Sequence, residues 1–385
     1  MKKHVKILVP LLLFTLLFGP ALQAQQRWTV QKANAWYAKQ PWLAGCNYLP
    51  QNAINQLEMW QAETFDPKTI DMELGWAAQL GFNTMRVYLQ DQLWVQDAAG
   101  FKKRMDQFLD ICARHNIKPM FVLFDSCWDP FPRLGKQRAP IQGLHNSGWV
   151  QSPGAEILLD PTRYPVLERY VKDIVGHFKN DDRILAWDVW NEPDNTNDSS
   201  YGKFEPKNKV DLVLKLLPQV FDWARAAQPT QPLTSGIWRG DWSSWEKLGA
   251  MEKVQLENSD VISFHNYDGA EEFEKRVKWL LPYNRPLLCT EYMSRGNNST
   301  FQGSMPVAKK YKVAAFNWGF VAGKSNTIYP WDSWSSAYAS EPKLWFHDIL
   351  RANGQPYRQE EVNLIKQLTA QDQNRSAAGK KAKVN

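Results

Sequence analysis

The sequence predicts a single-domain (β/α)8 barrel of the α/β class. Three observations carry that expectation. Apolar, β-rich runs alternate with amphipathic helical stretches along the whole chain. There are eight such runs, the number a closed barrel of this kind needs. The 385 residues exceed an ordinary compact domain but suit one barrel with long loops, and no repeat of fixed period or interior linker divides them.

The candidate strands are Leu43–Asn47, Thr84–Leu89, Pro119–Phe124, Leu185–Trp190, Pro232–Ile237, Val261–His265, Leu287–Glu291 and Ala314–Trp318. Helical signals lie between them. Asp66-Pro67 offers an N-cap followed by proline at the first helical position, with Ile70, Leu74 and Ala77 on one face. Phe101, Met105, Phe108, Leu109 and Cys112 recur at helical spacing before the third run, and Leu167, Tyr170, Val171, Ile174, Val175 and Phe178 before the fourth. Two irregular segments, Asp125–Leu159 and Asn195–Lys207, follow the third and fourth runs. Barrel enzymes build their sites there, beyond the C-terminal ends of the strands.

The ends of the chain read differently. Lys2, Lys3 and Lys6 precede the nearly unbroken apolar stretch Ile7–Phe18, and small residues follow, so residues 1–24 are expected to be a signal peptide and the protein secreted or periplasmic. No cysteine stands at the cleavage site to take a lipid anchor. Residues 27–368 are the expected folded domain, and 369–385, rich in Gln, Ala and Lys, an expected disordered tail. The formal charge of +6 comes from these ends. Without them basic and acidic side chains are equal in number, which argues against a nucleic-acid footprint. The sequence leaves the oligomeric state open.

Cys46, Cys112, Cys127 and Cys289 have neither zinc-site nor disulfide-framework spacing, and Cys112 and Cys289 fall where buried thiols are expected. Nineteen tryptophans are more telling, because Trp128, Trp238, Trp242, Trp245, Trp331 and Trp334 lie in expected loops. Indole faces pack on the C–H faces of sugar rings, and their N–H groups bond hydroxyls.

Two glutamates stand out. In Ala186-Trp187-Asp188-Val189-Trp190-Asn191-Glu192-Pro193 a strand ends in Asn-Glu and proline stops it, leaving a carboxyl at the barrel mouth. Leu288-Cys289-Thr290-Glu291-Tyr292 ends the seventh run with a second. Strands four and seven face each other across a closed eight-stranded mouth. Glycoside hydrolysis needs such a pair in unlike environments, one protonated to serve the leaving oxygen and one ionised to attack carbon. A separation of about 5–5.5 Å would predict retention of configuration.

At these residues the chain resembles the clan A glycoside hydrolases, especially the family 5 cellulases and mannanases and the barrel of the family 2 exo-glycosidases. The resemblance spans roughly Gly45 to Trp334. It implies that Glu192 is the acid/base, that Glu291 is the nucleophile, and that Arg86 in Thr84-Met85-Arg86-Val87 supports the nucleophile. It further implies that Tyr267 of His265-Asn266-Tyr267 hydrogen-bonds the nucleophile and that Trp318 lies under the sugar. His265 can bond a substrate hydroxyl or the acid/base region, and Asn191 the 2-hydroxyl. The third strand ends Phe124-Asp125-Ser126-Cys127-Trp128, without the histidine many family 5 members carry there, so Asp125 or Trp128 is expected to take over sugar contacts.

The expected activity is retaining hydrolysis of a β-linked glycan with no metal and no cofactor. The alternatives are a xylanase-like or exo-β-glycosidase activity on the same site, transglycosylation, and a non-catalytic carbohydrate-binding barrel. No Gly-rich phosphate loop, His-Glu-x-x-His or Gly-x-Ser-x-Gly motif points elsewhere.

Overall fold

A computed structural model describes residues 26–381, with side chains through residue 370. Eight strands, all parallel, appear where the apolar runs placed them: β1 Ala44–Asn47, β2 Thr84–Tyr88, β3 Lys118–Val122, β4 Ala186–Asp188, β5 Leu233–Thr234, β6 Ile262–His265, β7 Leu287–Tyr292 and β8 Ala314–Asn317. They pair in the order β5-β4-β3-β2-β1-β8-β7-β6. Ile237 closes the ring, its N–H donating to Ser263 O (3.1 Å) and its carbonyl accepting from His265 N (2.9 Å). The result is a single-domain (β/α)8 barrel.

β4 and β5 are shorter than their apolar runs because side chains take over the backbone groups. Trp190 N donates to its neighbour's carboxylate at Asp188 (3.3 Å), and Ser235 N to Ser259 Oγ (3.1 Å). The surrounding helices follow the expected signals. Asp66 caps Pro67–Gln79 by accepting from Lys68 N and Thr69 N, and Ile70, Leu74 and Ala77 face the strands. The helix Asp91–Arg114 buries Phe101, Met105, Phe108, Leu109 and Cys112, and Tyr164–His177 buries Leu167, Tyr170, Val171, Ile174 and Val175.

The N-terminal end of the barrel is sealed. Trp28, Ala33 and Tyr37, on and beside the helix Val30–Ala38, pack onto Leu43, Met120, Leu185, Leu288 and Phe316. That end is apolar filling, and the opposite end carries the long loops after β3, β4 and β8.

The closing helix runs Gln359–Lys381 and so enters the segment 369–385 expected to be a disordered tail. Val362 and Ile365 bury against the core and Thr369 Oγ1 donates to Leu80 O at 3.0 Å. The expected signal peptide lies outside the described residues. Among the described residues no helix is long and apolar enough to cross a membrane.

Candidate active site

β7 carries Glu291, and its register explains where that side chain points. Leu288 faces the barrel interior and Cys289 the surrounding helices. Strict alternation would turn Glu291 outward after Thr290. The ladders on both sides of β7 shift register at this point, the signature of a bulge, and Glu291 points into the mouth instead.

There it is 5% exposed and held by three donors. Arg86 Nη1 lies 2.9 Å and Tyr88 Oη 3.0 Å from Oε1, and Tyr267 Oη 2.8 Å from Oε2. Arg86 is itself locked. It bonds Asp188 through Nε (3.1 Å) and Nη2 (2.7 Å), Asn47 Oδ1 (2.9 Å) and Asn191 Oδ1 (2.7 Å). Burial alone would weaken its charge, but Tyr88, Asp188 and Glu291 raise its pKa above the ordinary value. Burial, followed by the charge of Glu291, pushes the Tyr267 phenol well above 10, so it stays a donor.

Glu192 sits one residue past Asn191 at φ +40°, in the left-handed region that non-glycine residues avoid. Oε1 accepts from His265 Nδ1 at 2.8 Å; Oε2 accepts from Asn195 Nδ2 at 2.7 Å and from the Cys127 thiol at 3.3 Å. Burial disfavours its charge, yet the hydrogen bond and charge of His265, with Asn195 and Cys127, hold it below the ordinary carboxylate value. Burial and the carboxylates Glu192, Asp125 and Glu291 raise the Cys127 pKa, keeping it a neutral thiol.

One oxygen of Glu192, one of Glu291 and a nitrogen of His265 all lie within 4.8 Å of one another. A cation could be ligated at that spacing, but these atoms are already bonded within the network, and Arg86 supplies the positive charge beside Glu291. The gap between the two carboxylates fits direct attack and is too small for the ~6.5–9.5 Å that an inverting water needs.

A cavity of about 390 Å³ opens over the pair. Of the residues singled out in the sequence, Glu192, Glu291, Asn191, Tyr267, Trp128 and Trp318 line it. Trp318 forms its floor, edge-on to Tyr88 (5.9 Å) and Trp149 (5.5 Å). Arg86 lies beneath and His265 between the carboxylates. Trp238 and Trp331 also reach the cavity and Trp334 backs Trp128, whereas Trp242 is buried against Phe264 and Trp245 is exposed.

Asp125 is the exception. It is 1% exposed and offers nothing to a sugar, because its oxygens accept from Trp149 Nε1 (2.6 Å), Asn191 Nδ2 (2.9 Å) and Cys127 N (3.0 Å). It positions Asn191, whose amide is spanned between Asp125 and Arg86. No role at the site was read for Tyr88, Asn195 or Cys127 in the sequence. Tyr88 had a signal, being two residues after Arg86 and so on the same strand face. Asn195 and Cys127 act through loop geometry that spacing does not encode.

Residues 50–336 match the family described as Cellulase (glycosyl hydrolase family 5). None of the curated proteins matches the sequence. Among solved structures, a GH5_18 variant from Streptomyces cattleya in complex with Manb1-4GlcNAc is similar, with TM-score 0.58 and 13% identity over 86% of this chain and 80% of that one. The exo-beta-1,4-mannosidase of Opitutaceae bacterium strain TAV5 gives TM-score 0.59 and 19% identity over 86% and 60%. The endo-beta-1,4-mannanase of Thermotoga petrophila gives 0.56 and 13% over 87% and 77%. At these identities the likeness shows the fold. The family match covers well over half of the chain, so the protein belongs to glycosyl hydrolase family 5 and is a retaining β-glycoside hydrolase.

Proposed function

We propose that Glu291 is the nucleophile and Glu192 the acid/base of a double displacement on a β-linked oligosaccharide. The observation that carries this assignment is the asymmetry of the pair. Glu291 meets a buried guanidinium and two phenols, which favour a fixed anion. Glu192 meets an imidazole, an amide and a thiol, with no guanidinium or ammonium against it.

Glu291 attacks the anomeric carbon as the bond to the leaving oxygen breaks, and that oxygen takes a proton from Glu192. A covalent glycosyl ester on Glu291 results. Water then enters where the leaving group was, gives its proton to Glu192 and displaces Glu291, so the product keeps its β configuration. Asn191, held from both sides, faces the sugar's 2-hydroxyl. β-Mannosides head the substrates to test, since several structurally similar enzymes are named for acting on mannans or mannosides. From the basic and apolar N-terminal segment we further propose that the protein works outside the cytoplasm.

Glu291→Ala is expected to lower turnover of aryl β-glycosides by about 10⁴-fold or more with the thermal transition intact. A proton NMR time course of the wild type should show the β-anomer first. Near-native turnover in the variant, or an initial α-product, refutes the assignment.

A further inference from the structure

The segment after β8 does more than link that strand to the closing helix. Residues 319–350 cross the mouth as a strap, fastened to the loop after β3 along its length. Asn146 N donates to Ser325 O (3.0 Å), Asn326 Nδ2 to Ile141 O (2.8 Å), Tyr338 N to Gly143 O (3.0 Å) and Trp334 Nε1 to His145 O (2.9 Å). The Trp334 ring stacks on Trp128 at 5.5 Å and meets Tyr201, from the loop after β4, at 5.2 Å. Farther round, Trp331 packs edge-on against Tyr267 at 5.0 Å. The anchors are mainly backbone and indole groups spread over three loops, so the strap is a built wall and not a hanging flap.

Exposure along the cavity lining shows which way it opens. His145, Asn146 and Trp318, under the strap, are buried. Asp198, Ser199 and Arg239, after β4 and β5, are exposed. That rim is held in place by Asp194, which pairs with Arg239 (2.7 Å) and accepts from Trp238 Nε1 (2.7 Å). The volume of about 390 Å³ is near the lower end of the ~300–1,000 Å³ typical of small-ligand sites, and a chain running through would need exits at both ends. At the closed end stands Asn146, 1% exposed, with neither its amide nitrogen nor its amide oxygen hydrogen-bonded. An unpaired buried amide is a costly feature for a fold to keep, and it is relieved by a ligand hydroxyl, which both donates and accepts.

We infer that the cavity is a dead-end pocket that holds the terminal sugar of a β-linked chain against Asn146 and Trp318, so that the enzyme cuts from the non-reducing end. This rests on the hydrolase reading above. Glu192 protonates the leaving oxygen, and the open rim follows Glu192's own strand and its neighbour. The leaving part of the chain thus extends through the rim into solvent. The sugar bonded to Glu291 lies inward, and the cavity that shares Asn146 and Trp318 with this one holds about 20 Å³, less than a further sugar residue needs.

The test uses β-1,4-linked manno-, cello-, xylo- and galacto-hexasaccharides carrying 2-aminobenzamide at the reducing end, with a matched set of aryl β-glycosides. The pocket predicts that, at low conversion, the first labelled product is the pentasaccharide, beside one unlabelled monosaccharide. Labelled di- or trisaccharides forming at a comparable rate overturn it, as does cleavage of aryl glycosides with every hexasaccharide untouched. Cleavage of neither set overturns hydrolysis itself, which separates the two failures. Asn146→Ala should lose at least tenfold in kcat/KM on the cleaved hexasaccharide, mainly through KM, in protein that still unfolds in one cooperative transition. A wild-type KM in that variant removes Asn146 from sugar recognition.

Discussion

Glu291 stands within a strand ladder and is gripped by a fully buried cation and two phenols, whereas Glu192 stands past the end of its strand, at φ +40°, in a cluster of uncharged donors and one imidazole. The difference tracks what each half of the mouth must do. A nucleophile has one required charge state, so fixed opposite charge and rigid geometry serve it. An acid/base must change charge twice per turnover, and a permanent cation against it would hold it ionised throughout. The strain at Glu192, of order 1–3 kcal/mol for such a backbone, is concentrated on the half that changes state.

Removing the cation should do the most damage. Arg86→Met leaves Asp188 and Glu291 facing each other across the barrel interior with no compensating charge. A loss of about 3–5 kcal/mol in stability is expected from stranding a buried ion-pair network. In protein that still folds, kcat/KM should drop about 10³-fold, roughly 4 kcal/mol of transition-state stabilisation. Denaturant melts and steady-state kinetics measure both. Activity within tenfold of wild type would mean that Glu291 does not depend on Arg86 for its charge, and the contrast between the halves would collapse.

The single donors make a finer test. Tyr267→Phe deletes a charge-assisted hydrogen bond to Glu291 and should cost about 10–100-fold in kcat/KM. Cys127→Ala deletes a thiol donor 3.3 Å from Glu192, a weaker bond, and should cost less than about tenfold. The order of the two effects is the readout. If the thiol matters more than the phenol, Glu192 rather than Glu291 is the carboxylate that needs fixing.

The same contrast marks what could be read from the sequence. The nucleophile half is largely strand-borne: Glu291 was read from the end of its strand, Arg86 and Tyr267 came from the resemblance to the clan, and Tyr88 was within reach of the strand period of two. The bulge that turns Glu291 inward was not, since no glycine or proline marks it. The acid/base half is loop-borne. Asn191-Glu192-Pro193 announced itself, but Asn195 and Cys127 reach Glu192 through turns that depend on tertiary contacts. The clasp between the β3 and β8 loops joins residues nearly two hundred positions apart, so their tryptophans were legible as loop residues but not as partners of one another. Asp125 was misjudged for a related reason. An acidic residue beside an expected sugar site looks like a ligand, and only packing shows that Trp149, Asn191 and the Cys127 amide consume it.

That carboxylate gives the smallest and most specific test of the comparison. Asp188 and Glu291 have Arg86 against them, whereas Asp125 has only neutral donors in hydrogen-bond contact with it, and burial pushes its pKa up to about 6. An unfolded aspartate titrates near 3.8, so between that value and about 6 the folded protein holds a proton that the unfolded chain releases. The contribution is therefore complete below the window and is lost as pH rises through it, with a ceiling of about 3 kcal/mol for the full shift. Asp125→Asn removes the titration while keeping the shape and an acceptor oxygen for Trp149 or Asn191. Measured by denaturant unfolding, its stability relative to wild type should improve from pH 4 to about pH 6 and then level off towards pH 8, by at most that amount. Turnover should fall less than about tenfold, since Asn191 keeps its bond to Arg86. A stability difference that stays flat across that range would show that the neutral donors alone suffice to carry a buried charge here, and the acid/base half would need no explanation different from the other.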